Sequence, residues 1–203
     1  MKTIHIEDKE VVPSKIVCIG RNYVAHIEEL GNEVPAEMVV FLKPNSAIGQ
    51  TLRAVHQEQL HFEAEICFVV EDGRLAAVGC GLDLTKRQLQ SRLKSKGLPW
   101  ERAKAFDGAA LFSRFVALPP AADELALELS INGRLRQSGS TSLMIYSPQA
   151  MLAELRTFLT LEDGDIIMTG TPAGVGEVLP GDVFEARIIA SGREITGCRW
   201  QAR

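Results

Sequence analysis

The chain has 203 residues, 46% hydrophobic and 24% charged, which suits one compact domain with a sizeable core and excludes wholesale disorder. Its formal charge of −4 excludes the basic face with which a nucleic-acid binder displaces counterions. An anionic substrate is not excluded, because a bound divalent cation dominates its local field whatever the global sum.

Met1 to Glu10 is charged and lacks the apolar core of a signal peptide. No apolar run approaches the roughly 18 residues of a membrane span, so the expectation is a cytoplasmic protein with no membrane partner. Cys18, Cys67, Cys80 and Cys198 are scattered with no Cys-x-x-Cys pair, which reads as four reduced, mostly core-like thiols. No repeat or linker divides the chain: 1–203 reads as one domain, with 1–14 a short N-terminal extension.

The first element, Ile16 to Ile19, is an apolar run ending at Gly20, a buried strand feeding a loop. Asn22 to Leu30 reads as a helix stopped by Gly31. Met38 to Leu42 is a strand closed by Lys43-Pro44-Asn45. From His61 to Val70 the pattern alternates: Phe62, Ala64, Ile66, Phe68 and Val70 form an apolar face, and His61, Glu63 and Glu65 lie opposite. Gly73 turns the chain into a returning strand, Leu75 to Leu82. Thr85 to Lys96 is helical and ends at Gly97-Leu98-Pro99. Leu125 to Ile131 alternates and meets Asn132-Gly133, a strong hairpin signal. Pro148 to Phe158 is a helix with Ser147 as its cap, and Ile166–Met168 and Val183–Ile189 are late strands. Many short strands with few helices predict an α+β, mainly β fold.

Glu63 and Glu65, two apart on one strand, point to one face with Cα atoms roughly 6.5–7 Å apart. Paired carboxylates raise each other's pKa unless a cation sits between them, and hard oxygen ligands select Mg²⁺, Mn²⁺ or Ca²⁺. The spacing alone favours a solvated strand face, and Asp83, before Leu84-Thr85, fits a helix N-cap.

Gly20-Arg21-Asn22-Tyr23-Val24-Ala25-His26, Glu63-Ala64-Glu65, Asp83, Lys104-Ala105-Phe106-Asp107 and Thr169-Gly170-Thr171-Pro172-Ala173-Gly174-Val175-Gly176 occur in one order along the chain. Together they resemble the catalytic region of the fumarylacetoacetate hydrolase family. The likeness runs from about Lys15 to Ile189. Lys96-Gly97-Leu98-Pro99-Trp100 followed by Lys104 is similar to the branch of acylpyruvate hydrolases and oxaloacetate-processing enzymes. The resemblance implies a mixed β-sandwich roll with peripheral helices, assembled as a homodimer. It implies Glu63, Glu65 and Asp83 as metal ligands for Mg²⁺ or Mn²⁺, with Ca²⁺ an alternative. It assigns His26 and Glu29 as a water-activating pair and Lys104 and Gln90 to a substrate carboxylate or oxyanion. Arg87 and Thr171 complete the expected substrate contacts. Gln88 departs from the family, which commonly has an acidic residue there, and this bears on substrate identity.

Three carboxylates and a divalent cation would leave a site near −1. A 2-oxo acid chelating that cation gains a Lewis acid for its ketone and a stabilised enolate, worth several kcal/mol. The leading expectation is hydrolysis of a C–C bond in an acylpyruvate-type 2,4-dioxo acid, giving pyruvate. Oxaloacetate decarboxylation, keto–enol tautomerisation and silent 2-oxo acid binding are the alternatives. His26 and Glu29, three apart, share a helix face. Gly20 and Gly31 flank that helix, which predicts a lid over the ligand. His5, His56 and His61 carry no expected catalytic role.

Overall fold

A computed structural model describes residues 1–120 and 124–203. Its main sheet has seven strands. Along it run Ala110–Phe112, Arg74–Asp83, Ala64–Glu71, Ile166–Met168, Lys15–Gly20 and Val39–Pro44, with Val116–Ala117 pairing beside the first on Arg74–Asp83. Ile166–Met168 lies parallel to Lys15–Gly20 and antiparallel to Ala64–Glu71. A second, four-stranded antiparallel sheet runs Arg134–Ser140, Leu125–Ile131, Val183–Ala190, Arg193–Gln201. The mainly β, mixed fold expected from the sequence is what forms.

The largest core lies between these sheets. Ile66, Phe68, Val78, Cys80 and Leu82 meet Leu125, Leu127, Leu129, Phe184 and Ile188 there. Phe62 packs edge-on against Phe184 with ring centroids 5.2 Å apart. The opposite face of the main sheet is also covered, by a core containing Ile16, Cys67, Val69, Phe115 and Met168. A third cluster places Val17, Ile19, Val70 and Ile167 under Met151 and Leu155 of the helix Pro148–Leu155. Ser147 Oγ accepts from Ala150 N–H at 3.2 Å, as its capping position demands. Asn132 and Gly133 both have positive φ, 52° and 76°, the backbone of the expected tight hairpin.

Three expectations are corrected. The single strand over His61–Val70 is two, Glu58–Phe62 and Ala64–Glu71, with Glu63 in the break between them. Glu58–Phe62 belongs to a small separate sheet with Gly176–Glu177, Val55–His56 and Thr85–Lys86. Residue 65 and its neighbours are buried on both faces, because a sheet covered on each side needs no solvent face. The helix after Asp83 begins at Arg87, since Thr85–Lys86 pair as a strand; Asp83 ends its own strand and caps nothing.

All four cysteines are free, Cys18, Cys67 and Cys80 buried and Cys198 half-buried. Among the described residues no helix is long and apolar enough to cross a membrane.

Candidate active site

The ends of three main-sheet strands converge on one cavity of about 50 Å³. Glu63 stands in the break before Ala64–Glu71, Glu65 within that strand, and Asp83 at the end of the strand paired with it. Glu63 carbonyl accepts from Asp83 N–H at 2.8 Å, and Glu65 faces Gly81 in the ladder. Carboxylate oxygens of the three lie within 4.8 Å of one another, and the side chains are buried. The break at Glu63 is held by Gln137, whose Oε1 accepts from Ala64 N–H at 2.9 Å. Gln137 arrives from the second sheet, and its amide nitrogen also donates to Thr171 Oγ1 at 2.8 Å.

Three cations oppose the three acids. Lys104 Nζ donates to Glu63 Oε2 and Asp83 Oδ2, each at 2.8 Å, and to Thr85 Oγ1 at 2.6 Å. Arg87 Nη2 donates to Glu63 Oε1 at 2.5 Å. Lys43, fully buried, stands 2.8 Å from Asp83 Oδ1. The Lys43 ammonium is aligned instead on the carbonyls of Lys104 and Ala109, so Asp83 Oδ1 has charge beside it and no aligned donor. The site therefore does not carry the expected excess of negative charge: its three acids stand among three cations, which pair with Glu63 and Asp83, and an added divalent cation leaves the sum positive.

Glu65 differs from its neighbours. It has no lysine or arginine partner among the described residues and accepts one backbone N–H, from Gly170, at 2.8 Å. Burial raises its pKa well above the carboxylate range, and Asp83 and Glu63 push it further. Burial pushes Glu63 the same way, but Lys104 and Arg87, with His26 behind them, hold it below that range. Burial alone would lower Lys104; Asp83 and Glu63 outweigh it and keep the ammonium charged. An uncompensated buried carboxylate and an orphaned carboxylate oxygen, converging with a third acid, make a donor set that fits a hard divalent cation.

Gly170 must be glycine. Its φ is 96°, and a Cβ would stand 2.9 Å from both Asn22 Cβ and the Ile19 carbonyl. Gly174 is equally constrained, with φ 106° and a Cβ 2.1 Å from the Arg136 carbonyl. Each glycine donates its N–H to a site carboxylate: Gly174 to Glu29 Oε1 at 3.0 Å. Asn22 locks this turn to the first loop through the Thr169 carbonyl at 2.9 Å.

The helix Val24–Glu29 carries His26, buried and lining the cavity, with Nδ1 3.2 Å from Glu29 Oε2. That leaves Nε2 as the ring nitrogen for proton chemistry. Gln90 also lines the cavity, and its Oε1 accepts from Arg87 Nη1 at 3.0 Å, which frees its NH₂ to donate. Thr171 is present, but its hydroxyl proton goes to the Ala64 carbonyl at 2.8 Å. A carboxylate there would meet the turn's backbone rather than that hydroxyl.

The structure thus brings His26, Glu63, Glu65, Asp83, Arg87, Gln90, Lys104 and Thr171 to one cavity, with Glu29 behind His26. Gln88 does not join them: it is exposed, and its N–H bonds Glu58 Oε1 at 3.0 Å. Its neutrality therefore leaves the cavity's charge untouched. His61 stands apart, 4.0 Å from Glu177. Sequence reasoning missed Lys43, read as closing a strand. In the structure Val39–Pro44 extends through it, so Lys43 shares a strand face with Phe41, which lines the cavity. It also passed over Gln137 and Lys94. No local pattern marks Gln137, whose partners are 34 and 73 residues away.

The family model for the fumarylacetoacetate (FAA) hydrolase C-terminal region matches residues 15–199. The oxaloacetate tautomerase YcgM of Escherichia coli is 38% identical, over 90% of this chain and 91% of its own. The mitochondrial oxaloacetate tautomerase FAHD1 of Homo sapiens is 41% identical, over 85% and 86%. Among solved structures, fumarylpyruvate hydrolase from Pseudomonas aeruginosa in complex with Mn²⁺ and pyruvate superposes with a TM-score of 0.87. It is 27% identical and covers 99% of this chain and 95% of that one.

Proposed function

The chain belongs to the fumarylacetoacetate hydrolase family, and we propose on that premise that it is a divalent-metal-dependent enzyme interconverting the keto and enol forms of oxaloacetate. The observation that carries this reading is the charge balance. Lys43, Lys104 and Arg87 equal Glu63, Glu65 and Asp83 in number, and Arg21 and Lys94 add positive charge to the same lining, so a cavity holding a divalent cation favours a ligand with more than one negative charge. Oxaloacetate is such a ligand, whereas a simple acylpyruvate in its keto form carries one charge.

Glu63, Glu65 and Asp83 would hold Mg²⁺ or Mn²⁺, which supplies a Lewis acid for the 2-oxo group. The Mn²⁺ named in the Pseudomonas aeruginosa structure supports that choice. In the proposed reaction His26 takes a proton from carbon three of the keto acid. The C–H electron pair becomes the carbon–carbon double bond, the carbonyl π pair moves onto oxygen, and that oxygen takes up the proton returned by His26, which gives the enol and restores the neutral imidazole. Glu29 holds Nδ1 and so sets the His26 tautomer that leaves Nε2 free as the base, a contribution of about 10²–10⁴-fold. Gln90 and the turn at Thr171 would orient the 2-oxo carboxylate, and Lys104 would hold Glu63 and Asp83 apart while offering positive charge.

C–C hydrolysis, the leading expectation from sequence, becomes the second reading. The named relatives favour tautomerisation, while the His26–Glu29 pair and the fumarylpyruvate hydrolase likeness keep hydrolysis in view. The test is the Mn²⁺-loaded protein with enol-oxaloacetate, followed by loss of enol absorbance, beside acetylpyruvate assayed for acetate and pyruvate. Enol decay accelerated over buffer and abolished by EDTA is expected. Equimolar acetate and pyruvate with no effect on oxaloacetate would restore the hydrolase.

A further inference from the structure

The helix Arg87–Ser95 presents Arg87, Gln90 and Lys94 to the cavity, at offsets of three and seven residues that share one helix face. A rise of 1.5 Å per residue puts Lys94 roughly 10 Å along the axis from Arg87. Arg87 marks the carboxylate end through its bond to Glu63. Lys94 marks the other. Its Nζ donates to Asn32 Oδ1 at 2.7 Å, and Arg21 Nη2 reaches the same oxygen at 3.4 Å.

Two cations therefore share one neutral oxygen. Among the described residues neither Arg21 nor Lys94 makes an ion pair with a carboxylate, and all three side chains line the cavity. Their mutual repulsion is visible on Lys94, whose pKa is lowered by burial and then by Arg21 and Arg87. Arg21 is also held at φ 56°, a left-handed backbone that a non-glycine residue adopts at a cost. Phe41 and Trp100, ring centroids 5.9 Å apart, give the same cavity an apolar wall. A like-charged pair in a partly desolvated cavity is favourable when an anion completes it.

We propose that Arg21 and Lys94, held side by side by Asn32, form a second anion subsite that takes the distal carboxylate of a 2-oxo dicarboxylic acid. The subsite rests on the proposed function for its substrate head, since the 2-oxo end must sit at Glu63, Glu65 and Asp83. The paired cations at this subsite select dicarboxylates over 2-oxo acids with one carboxylate.

The test uses the full chain loaded with Mn²⁺ and titrates pyruvate and oxaloacetate, which share the 2-oxo head and differ in the distal carboxylate. Calorimetry is expected to show oxaloacetate bound about 10- to 100-fold more tightly, as charge-assisted hydrogen bonds to one carboxylate allow. Lys94→Met should weaken oxaloacetate about tenfold, leave pyruvate and Mn²⁺ affinity unchanged, and be rescued by Lys94→Arg. Equal wild-type affinity for the two acids overturns the subsite, as does a Lys94→Met variant that weakens both acids alike or neither. Dicarboxylate selectivity without enol–keto turnover keeps the subsite and removes the tautomerase reading. Turnover without selectivity does the reverse.

Discussion

The strand Ile166–Met168 has a buried carboxylate near each end, and the two are opposites. At its entrance Asp165 accepts from Ser14 N–H at 3.1 Å, Ser14 Oγ at 2.6 Å, Lys15 N–H at 3.0 Å and Glu162 N–H at 2.8 Å, and pairs with Lys15 Nζ. At its exit the Gly170 N–H is the single donor to Glu65 among the described residues, and two more carboxylates stand beside it. A saturated buried carboxylate ties the chain together; an unsaturated one among like charges costs stability and persists where it holds a ligand.

Breaking the exit end has the largest expected effect on activity. Glu65→Gln should cut metal-dependent turnover about 10³-fold or more, with calorimetry showing weakened Mn²⁺ binding. Thermal melting of the metal-free variant should be unchanged or higher, because like-charge repulsion is relieved; a clear loss of stability would erase the contrast with Asp165. The entrance should respond the other way. Asp165→Asn removes the charge that five donors converge on and is expected to cost about 3 kcal/mol in urea unfolding. Turnover per folded molecule should not change.

His26→Gln comes next, with a loss of about 10²-fold in enol–keto turnover and Mn²⁺ affinity retained. Lost Mn²⁺ affinity would place His26 among the ligands. A pH titration sharpens the Asp165 side. Burial raises its pKa, but the bonds from Lys15, Ser14 and Glu162 outweigh it and leave it depressed. Its contribution is therefore complete above the unfolded value near about 4 and disappears as pH falls through the lower folded value. Wild type should lose stability below about pH 4 more steeply than Asp165→Asn does; parallel curves would show the carboxylate is not the acid-sensitive group. The smallest effect is expected from Gln88→Glu, within about twofold in KM for oxaloacetate, since an exposed charge outside the cavity is screened.

Much of this was legible along the chain. The strand at Lys15–Gly20, the Asn132-Gly133 hairpin, the Ser147 cap and the ordered site motifs each rest on neighbours within a few residues, so local chemistry and motif order specified them. The acids, His26, Glu29, Arg87, Gln90 and Lys104 were named by resemblance rather than by spacing, which by itself favours a solvated strand face for Glu63 and Glu65. What only the tertiary structure decided is the company these residues keep. Lys43 reaches the carbonyls of Lys104 and Ala109 from 61 and 66 residues away, Gln137 breaks the strand at Glu63 from the other sheet, and Arg21 meets Lys94 across Asn32. Charge balance in a buried site is a sum over such distant partners. Periodicity reports which face a residue occupies, whereas the fold determines which charges stand opposite it.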